Sequence, residues 1–170
     1  ISAFYRIVQD AGKRSDANVI LIDLGPNLGA INSAALIASD YIVIPLGPDL
    51  FSIQGLRNLG PAVRRWRAEW NERLAKNPIA GMLLPTGSIE SVGYIVLRHS
   101  IRLDRAVKAF DRWIAKIPSA YASSVLEETV KPGVTIDTDV NCLAKLRDYR
   151  SLMPLAQEAH KPMFHLKAAD

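Results

Sequence analysis

A chain of 170 residues, of which 49% are apolar and 22% charged, has the composition of one soluble globular domain and excludes a disordered or low-complexity protein. No apolar stretch approaches the roughly 18 residues of a membrane span, and the single cysteine, Cys142, excludes an internal disulfide framework. With no signal peptide at its start, the chain is expected to be cytoplasmic. A formal net charge of +4 permits contact with nucleic acid without requiring it.

The first half of the chain predicts a helix followed by a strand–helix–strand unit. Residues 1–12 carry apolar side chains at the i, i+3, i+4, i+7 spacing of an amphipathic helix. Val19–Ile22 is a short, branched, apolar run that predicts a strand buried on both faces. A helical stretch over 30–38 then leads to a second strand, Tyr41–Leu46. Together they predict a parallel sheet, and therefore an α/β domain with helices flanking the strands.

Asp23 follows the first predicted strand directly, and the turn 47–49 follows the second. In parallel sheets ligands bind beyond the carboxyl ends of the strands, so this edge is the expected site. A carboxylate in that position suits magnesium, which keeps several waters and takes few protein ligands. Asp also caps turns routinely, and position alone does not decide between these two roles.

A long helix is predicted from Ser52, its expected N-cap, to about residue 76. Gly60-Pro61 should kink or break it, because proline removes an intrahelical donor. Beyond that point three arginines cluster, Arg64, Arg65 and Arg67. They form either a solvated helix face or a surface for non-specific contact with DNA phosphates.

The second half of the chain gives weaker signals. Residues 79–84 and 94–97 predict strands, and the second of these ends in Arg98 and His99. Residues 143–159 show a helical pattern that places Cys142 in a buried setting, and 163–166 suggest a last short strand. The histidines and Cys142 do not have zinc-site spacing, and no nucleophile-elbow motif is present.

The residues from Asp23 to Gly29, Asn32 to Leu36, Asp40 and Ile44-Pro45 together resemble the core of the ParA/MinD-type partition ATPases, which belong to the phosphate-loop NTPases. The resemblance is strong over 18–60 and looser after residue 85. It implies a three-layer α/β fold with a mostly parallel sheet, and residues 1–170 would form a single domain. The family's glycine-rich phosphate loop with its lysine is absent from these residues. Because the chain also begins with Ile1, we expect the C-terminal two-thirds of a larger ATPase domain.

The resemblance assigns roles to several residues. Asp23 would hold Mg²⁺ and serve catalysis, and a switch loop would sense the γ-phosphate of ATP through Gly25, Pro26, Asn27 and Gly29. Arg98 and His99 would lie in the loop beside the nucleotide base, where the family usually has asparagine. Relatives of this kind form homodimers through the nucleotide, bind DNA non-specifically and respond to a partition-partner protein.

Two functions therefore follow from the sequence. In the first, the chain is part of a ParA-like ATPase that acts in plasmid or chromosome partitioning, and these residues alone would not hydrolyse ATP. The second is a non-catalytic interaction or regulatory module on the same scaffold. In the family a phosphate-loop strand separates the two predicted strands of the first half. Without it, either those strands pair with each other or another chain fills the gap.

Overall fold

The computed structural model describes residues 1–25, 27–99, 111–147, 149 and 152–167, without the side chains of Arg98 and His99. It is an α/β arrangement in which helices flank a three-stranded parallel sheet of order β1–β2–β3. The strands are β1 Tyr41–Leu46, β2 Glu90–His99 and β3 Cys142–Arg147. The expected fold class is confirmed.

The helices lie between and around these strands. They are α1 Ser2–Arg14, α2 Ala30–Ile37, α3 Leu50–Ala75, α4 Ile117–Tyr121 and α5 Leu152–Glu158. A π-helical turn, Ala122–Leu126, continues α4, and a 3₁₀ turn, Met163–His165, follows α5. The predicted α1, α2 and β1 are confirmed. None of the helices in the described ranges is both long enough and apolar enough to cross a bilayer.

The hydrophobic core lies between one face of the sheet and the helices α3 and α4. The buried side chains of β1 alternate with exposed ones, so Ile44 and Leu46 point into this core. They meet Ile53 and Leu56 of α3 and Tyr94 of β2. Each fully buried aliphatic side chain contributes about 1.5–3 kcal/mol, which makes this layer the main source of stability. Other members of the core are Val96, Ile117, Ala120, Tyr121 and Ile136.

Val19–Ile22 does not form the predicted strand. The segment carries no strand assignment, and Val19 and Leu21 are 74% and 91% exposed. A strand needs a neighbour for its main-chain groups, and among the described residues β1 pairs with β2 only. The expected pairing of the two halves of a strand–helix–strand unit is therefore wrong for this chain. The parallel partner of β1 comes from later in the sequence.

Helix α3 is 26 residues long and continues through Pro61, so of the predicted kink or break the break does not occur. At Gly60, next to Pro61, the helix packs closely against the π-helical turn, because a Cβ on Gly60 would lie 1.8 Å from the Ser124 carbonyl oxygen. The predicted N-cap is also displaced, because Asp49 rather than Ser52 caps the helix. Further along, Trp70 is buried and donates from Nε1 to the Pro85 carbonyl at 3.0 Å, which fastens the following loop to α3.

Three assignments in the second half are corrected. Residues 79–84 form no strand, residues 142–147 form β3 rather than helix, and 163–165 form a 3₁₀ turn. Tertiary pairing decides β3, because β2 offers it a free edge. The register of the β1–β2 pair shifts between Ser91 and Gly93, where Gly93 has φ +145°, and on the β3 side a Cβ at Gly93 would lie 2.4 Å from the Asn141 carbonyl oxygen. Glycine permits both this backbone conformation and the close approach.

Candidate functional site

A groove of about 800 Å³ opens along the edge of β1 that faces away from β2. We call it the edge groove. Tyr41–Leu46 form one wall, and the segment from Ile22 to Leu24 contributes to the lining with the loop that follows it. Helices α2 and α3 add Asn32, Leu36, Ser52, Leu56 and several neighbours. The groove thus includes both places where the sequence predicted the carboxyl end of a strand.

Asp23 lies in the edge groove with its side chain exposed to solvent. Within the described ranges, it makes no hydrogen bond or ion pair. It does not cap the turn that follows it, which was the alternative role that its position allowed. A solvent-facing carboxylate without a protein partner retains its full capacity to accept hydrogen bonds or to ligate a hard cation.

The loop between Asp23 and α2 is held by one side chain that the sequence analysis had not assigned a role. The Asn32 amide nitrogen donates to the carbonyl oxygens of Gly25 and Asn27, each at 2.7 Å. The Asn27 side chain in turn accepts from the Gly29 amide at 3.1 Å. Pro26 lies outside the described residues. The sequence did contain a signal for this contact. Asn32 lies in the first turn of the predicted helix, directly after a loop rich in Gly and Asn, where its side chain can reach the loop carbonyls.

The start of α3 forms a second polar cluster in the groove. The Asp49 carboxylate accepts from the Ser52 amide at 2.7 Å, and the Ser52 hydroxyl accepts from the Gly47 amide at 2.8 Å. The Ser52 amide belongs to the first turn of α3 and would otherwise lack a partner there, and the bond from Gly47 ties the preceding turn to the helix. Gly47 has no room for a side chain, because a Cβ would lie 2.7 Å from Asp49 Oδ2. Asp49 is therefore committed to the helix cap, whereas Asp23 is not.

The edge groove is apolar and acidic in character. Its two carboxylates are Asp23 and Asp49, and none of the residues named in its lining is a lysine or arginine. No group of three or more Asp, Glu, His or Cys side chains within the described ranges is arranged to hold a metal ion. A metal bound at Asp23 would therefore need water or ligand oxygens for most of its coordination.

The three arginines of α3 do not share one environment. Arg64 donates to the Ser124 carbonyl at 2.9 Å and pairs with Glu127 at 3.0 Å, so it fastens α3 to the π-helical turn. Arg65 is exposed and lies 3.8 Å from Glu69 within the same helix. Arg67 is exposed and makes no ion pair within the described residues. Only Arg65 and Arg67 present their charge to solvent.

Arg98 and His99 occupy the last two positions of β2 and not a loop. His99 is paired in register with Arg147 of β3. The strand runs further than the apolar pattern indicated because β3 supplies a second neighbour for it. The side chains of both residues lie outside the described set, so their predicted place beside a nucleotide base stays a prediction.

A second, partly buried polar network joins β2 to α4 and to the segment before β3, and none of its residues lines the edge groove. The Tyr94 hydroxyl donates to Asp139 Oδ2 at 2.8 Å, and the Tyr121 hydroxyl shares a 2.7 Å hydrogen bond with Ser91. The two rings are 5.1 Å apart at their centres. Burial raises the pKa of Tyr94, with a further contribution from Asp139, and burial also raises the pKa of Tyr121. Burial likewise raises the pKa of Cys142, so its thiol is not activated.

Comparison with known proteins supports the broader part of the relationship that the sequence resemblance indicated. Residues 6–76 match the model of a family described as an AAA domain. This match covers α1 from Arg6 onward, the exposed apolar run, the loop before α2, α2, β1 and all of α3. It supports a relationship to the phosphate-loop NTPases. It does not distinguish the ParA/MinD type.

Individual relatives add little about function. Two curated sequences from Pseudomonas putida, an uncharacterized protein and an uncharacterized protein in the gidB 3′ region, are each 34% identical over 61 residues. The match spans 36% of this chain and 23% of the length of those curated relatives. A crystal structure of a Corynebacterium diphtheriae protein is 22% identical with a TM-score of 0.46, over 76% of this chain and 47% of that one.

Proposed function

We propose that this chain forms part of a ParA-like ATPase that binds ATP and Mg²⁺, dimerises, and contacts DNA non-specifically in plasmid or chromosome partitioning. One observation carries the proposal. Asp23 is an exposed carboxylate with no protein partner within the described residues, and it lies in the edge groove immediately before a loop fixed by Asn32. The family match over residues 6–76 includes this whole arrangement.

The residues present fit a magnesium ion of the kind that accompanies a nucleotide. Magnesium is bound through one or two carboxylates, with water and phosphate oxygens in its other positions. Asp23 would supply that carboxylate, directly or through water, and Asp49 would stay on its helix cap. When bound, the ion would neutralise negative charge on the nucleotide's phosphates.

The residues present do not form a phosphate cradle. Tight triphosphate binding rests on main-chain amides of a glycine-rich loop and on a lysine that reaches the terminal phosphates. The 170 residues contain no such motif, and the residues named in the groove lining carry no positive side chain. The proposed ATPase activity therefore requires a phosphate-binding segment in addition to these residues.

The loop 24–29 would act as the element that responds to the nucleotide. Its carbonyl groups at Gly25 and Asn27 are held by a single amide, that of Asn32, so a modest interaction decides its conformation. Loops that change order with the γ-phosphate transmit the nucleotide state in many NTPases. Gly25, Pro26, Asn27 and Gly29 would serve that purpose here, and Arg98 and His99 would approach the base.

A second function, a non-catalytic binding module, is favoured by one specific observation. The edge groove is lined mainly by apolar side chains and contains carboxylates without cations. Such a surface suits a peptide segment better than a free nucleotide. The two functions differ in a single measurable property, which is hydrolysis of ATP that depends on Asp23.

ATP hydrolysis by the protein expressed from its complete native reading frame tests the proposal. Asp23→Asn removes the charge with little change of shape, and we expect it to abolish Mg²⁺-dependent turnover while the circular dichroism spectrum is kept. Asp40→Asn is the matched control, because Asp40 is also exposed and lies just before β1 but outside the groove lining. Equal turnover in all three proteins, or none in the parent, would contradict the ATPase assignment.

A further inference from the structure

A second cavity, of about 250 Å³, lies between β1, helix α3, the π-helical turn and the start of β2. We call it the α3 cavity. Ile42, Ile44 and Leu59 line both this cavity and the edge groove, so the two spaces are neighbours. The charged and hydroxyl side chains of the α3 cavity do not line the edge groove. Its polar groups are therefore separate from the proposed nucleotide site.

Two helical walls of the α3 cavity are held together by close contacts at one side. Gly60 of α3 lies so near the π-helical turn that a Cβ on it would be 1.8 Å from the Ser124 carbonyl oxygen. The Arg64 guanidinium donates to the same oxygen at 2.9 Å. Val125 and Leu126, which follow Ser124 in the turn, line the cavity. Because protein interiors contain few voids larger than a water molecule, a space of this size between fixed walls is a candidate binding site.

The inner lining of the α3 cavity is apolar, with one hydroxyl group in its wall. Ile44 and Ile89 are buried, and Val63 of α3 adds another branched side chain. The Ser91 hydroxyl shares a 2.7 Å hydrogen bond with the buried Tyr121 hydroxyl. Two hydroxyl groups carry two protons and use one of them between themselves, so this pair keeps a proton that it can donate.

Two opposite charges belong to the solvent-exposed part of this lining. Arg67 of α3 and Glu90, the first residue of β2, are both exposed and both line the cavity. Within the part of the chain that the structure describes, neither forms an ion pair with the other or with a third residue. Arg65, by contrast, lies 3.8 Å from Glu69. A cation and an anion that face one space without pairing match a ligand that carries both charges.

The volume of the α3 cavity limits its ligand to a small molecule. An apolar cavity of about 150 Å³ holds benzene, so the α3 cavity has room for a molecule of roughly ten non-hydrogen atoms. We propose that it binds a free amino acid with a branched apolar side chain, such as leucine. The ligand's side chain would lie against Ile44, Val63 and Ile89. Its carboxylate would meet the planar guanidinium of Arg67, and its ammonium group would meet Glu90.

The charges of the lining exclude simpler ligands of the same shape. A carboxylic acid without an amine would bring its negative charge towards Glu90, and an amine without a carboxylate would bring its positive charge towards Arg67. A wholly apolar molecule would take water from both charges and return no partner, which is unfavourable. Arg67 is also one of the arginines proposed to contact DNA, so a bound amino acid would compete with a DNA phosphate for it.

Calorimetric titration of the 170-residue chain tests the proposal, with no nucleotide or DNA present, so that the result does not depend on the proposed ATPase function. The three probes share one branched skeleton. Leucine carries both charges, isocaproate lacks the ammonium group and isoamylamine lacks the carboxylate. We expect leucine to bind about tenfold or more tightly than either analogue, because each analogue loses one charged hydrogen bond.

Single substitutions assign each charge to its partner. Arg67→Gln should weaken leucine binding by about tenfold and leave isoamylamine binding unweakened. Glu90→Gln should weaken leucine binding to a similar extent and leave isocaproate binding unweakened. Arg65→Gln is the matched control, since Arg65 is an exposed arginine of the same helix that does not line the cavity. It should bind leucine as the parent chain does.

A further variant locates the apolar part of the site. Val63→Phe should fill the cavity and abolish leucine binding, with the circular dichroism spectrum as the check on folding. The test does not depend on this variant, because Arg67 and Glu90 are exposed and their substitution leaves the core intact. A parent chain that does not bind leucine at millimolar concentration would overturn the proposal. So would leucine binding that Arg67→Gln and Glu90→Gln both leave unchanged, or isocaproate binding as tight as that of leucine.

Discussion

The side-chain amide of Asn32 donates to the main-chain carbonyl of Gly25 at 2.7 Å, across seven residues of sequence. The same nitrogen also reaches the carbonyl of Asn27, so one side chain fixes the loop that follows Asp23. Loops are mobile when few contacts hold them. The position of the candidate metal ligand in the edge groove therefore depends on a residue that would not itself touch a ligand.

Replacement of Asn32 should loosen this loop. Asn32→Asp keeps the size but removes both donors and sets a carboxylate against two carbonyls, at a cost of about 1–2 kcal/mol for these solvent-exposed bonds. We expect faster amide exchange and faster proteolysis over residues 24–29, with little change in the core. Asn71→Asp, on the exposed face of α3, is the control. Equal exchange rates in both variants would mean that the loop is held by other contacts.

Two glycines of α3 should respond in opposite ways to alanine. Gly60→Ala would place a methyl group 1.8 Å from the Ser124 carbonyl oxygen, so α3 must move away from the π-helical turn, at a cost of about 1–3 kcal/mol. Gly55→Ala meets nothing within 4 Å and should stabilise the helix by about 0.5–1 kcal/mol. Urea denaturation measures both. A stabilising Gly60→Ala would contradict the close packing of these elements.

Periodicity was enough to predict α1, α2, β1 and the α/β class, because the apolar residues of each segment recur at the spacing of its helix or strand. Of the three, α2 and β1 bury apolar side chains, whereas α1 buries only Gly12. It failed for Val19–Ile22, whose apolar residues indicate burial that the described chain does not provide. A strand is stabilised by its neighbours as much as by its own residues, and among the described residues no strand pairs with this run. The exposed run therefore shows that a branched, apolar pattern alone does not establish a buried strand.

The candidate site was predictable in its position but not in its connections. Asp23 and the turn at 47–49 do lie in one groove, as parallel-strand geometry implied. The cap at Asp49 was missed because Asp and Ser three residues apart are both acceptable N-caps, and only the helix start decides between them. Arg64 was grouped with Arg65 and Arg67 because its partners, Ser124 and Glu127, lie about sixty residues away in sequence.

Stability should fall at alkaline pH because of Tyr94. An unfolded tyrosine titrates near pH 10, and burial raises the pKa of Tyr94 in the folded chain. Above about pH 10 the unfolded chain loses this proton while the folded chain keeps it, so the stabilisation present below that pH is lost as pH rises. Tyr94→Phe should lower stability at pH 8 through loss of the bond to Asp139 and show a shallower decline above pH 10.

Denaturant midpoints at several pH values check this prediction. Burial also raises the pKa of Tyr121, so Tyr121→Phe should likewise make the decline of stability above pH 10 shallower. The double variant should show the shallowest decline. Tyr149→Phe is a suitable control, since Tyr149 is exposed. A parent chain whose stability rises between pH 9 and 11 would have the opposite linkage, and the burial of these two hydroxyls would be in doubt.

This chain alone should bind Mg-ATP weakly. The groove lining contains Asp23 and Asp49 but no named cationic residue, and the sequence lacks a phosphate loop. The tetra-anionic nucleotide would meet negative charge unless magnesium intervened. Calorimetric titration with Mg-ATP is expected to give a dissociation constant above the micromolar range. Micromolar or tighter binding would show that the phosphates are held by residues other than those assigned here.

The arginines of α3 should separate into a structural and a nucleic-acid-contacting group. Arg64→Ala removes a charged hydrogen bond to Ser124 and the pair with Glu127, so we expect a loss of about 1 kcal/mol in stability and little change in DNA affinity. The double variant Arg65→Ala/Arg67→Ala should weaken DNA binding with little change in stability, since both side chains face solvent. Each lost phosphate contact lowers the salt slope of log K by about 0.9. Fluorescence anisotropy with two unrelated duplexes, over a salt series, measures this effect. If Arg64→Ala weakens binding as much as the double variant at equal stability, DNA approaches the face that the π-helical turn occupies in this structure.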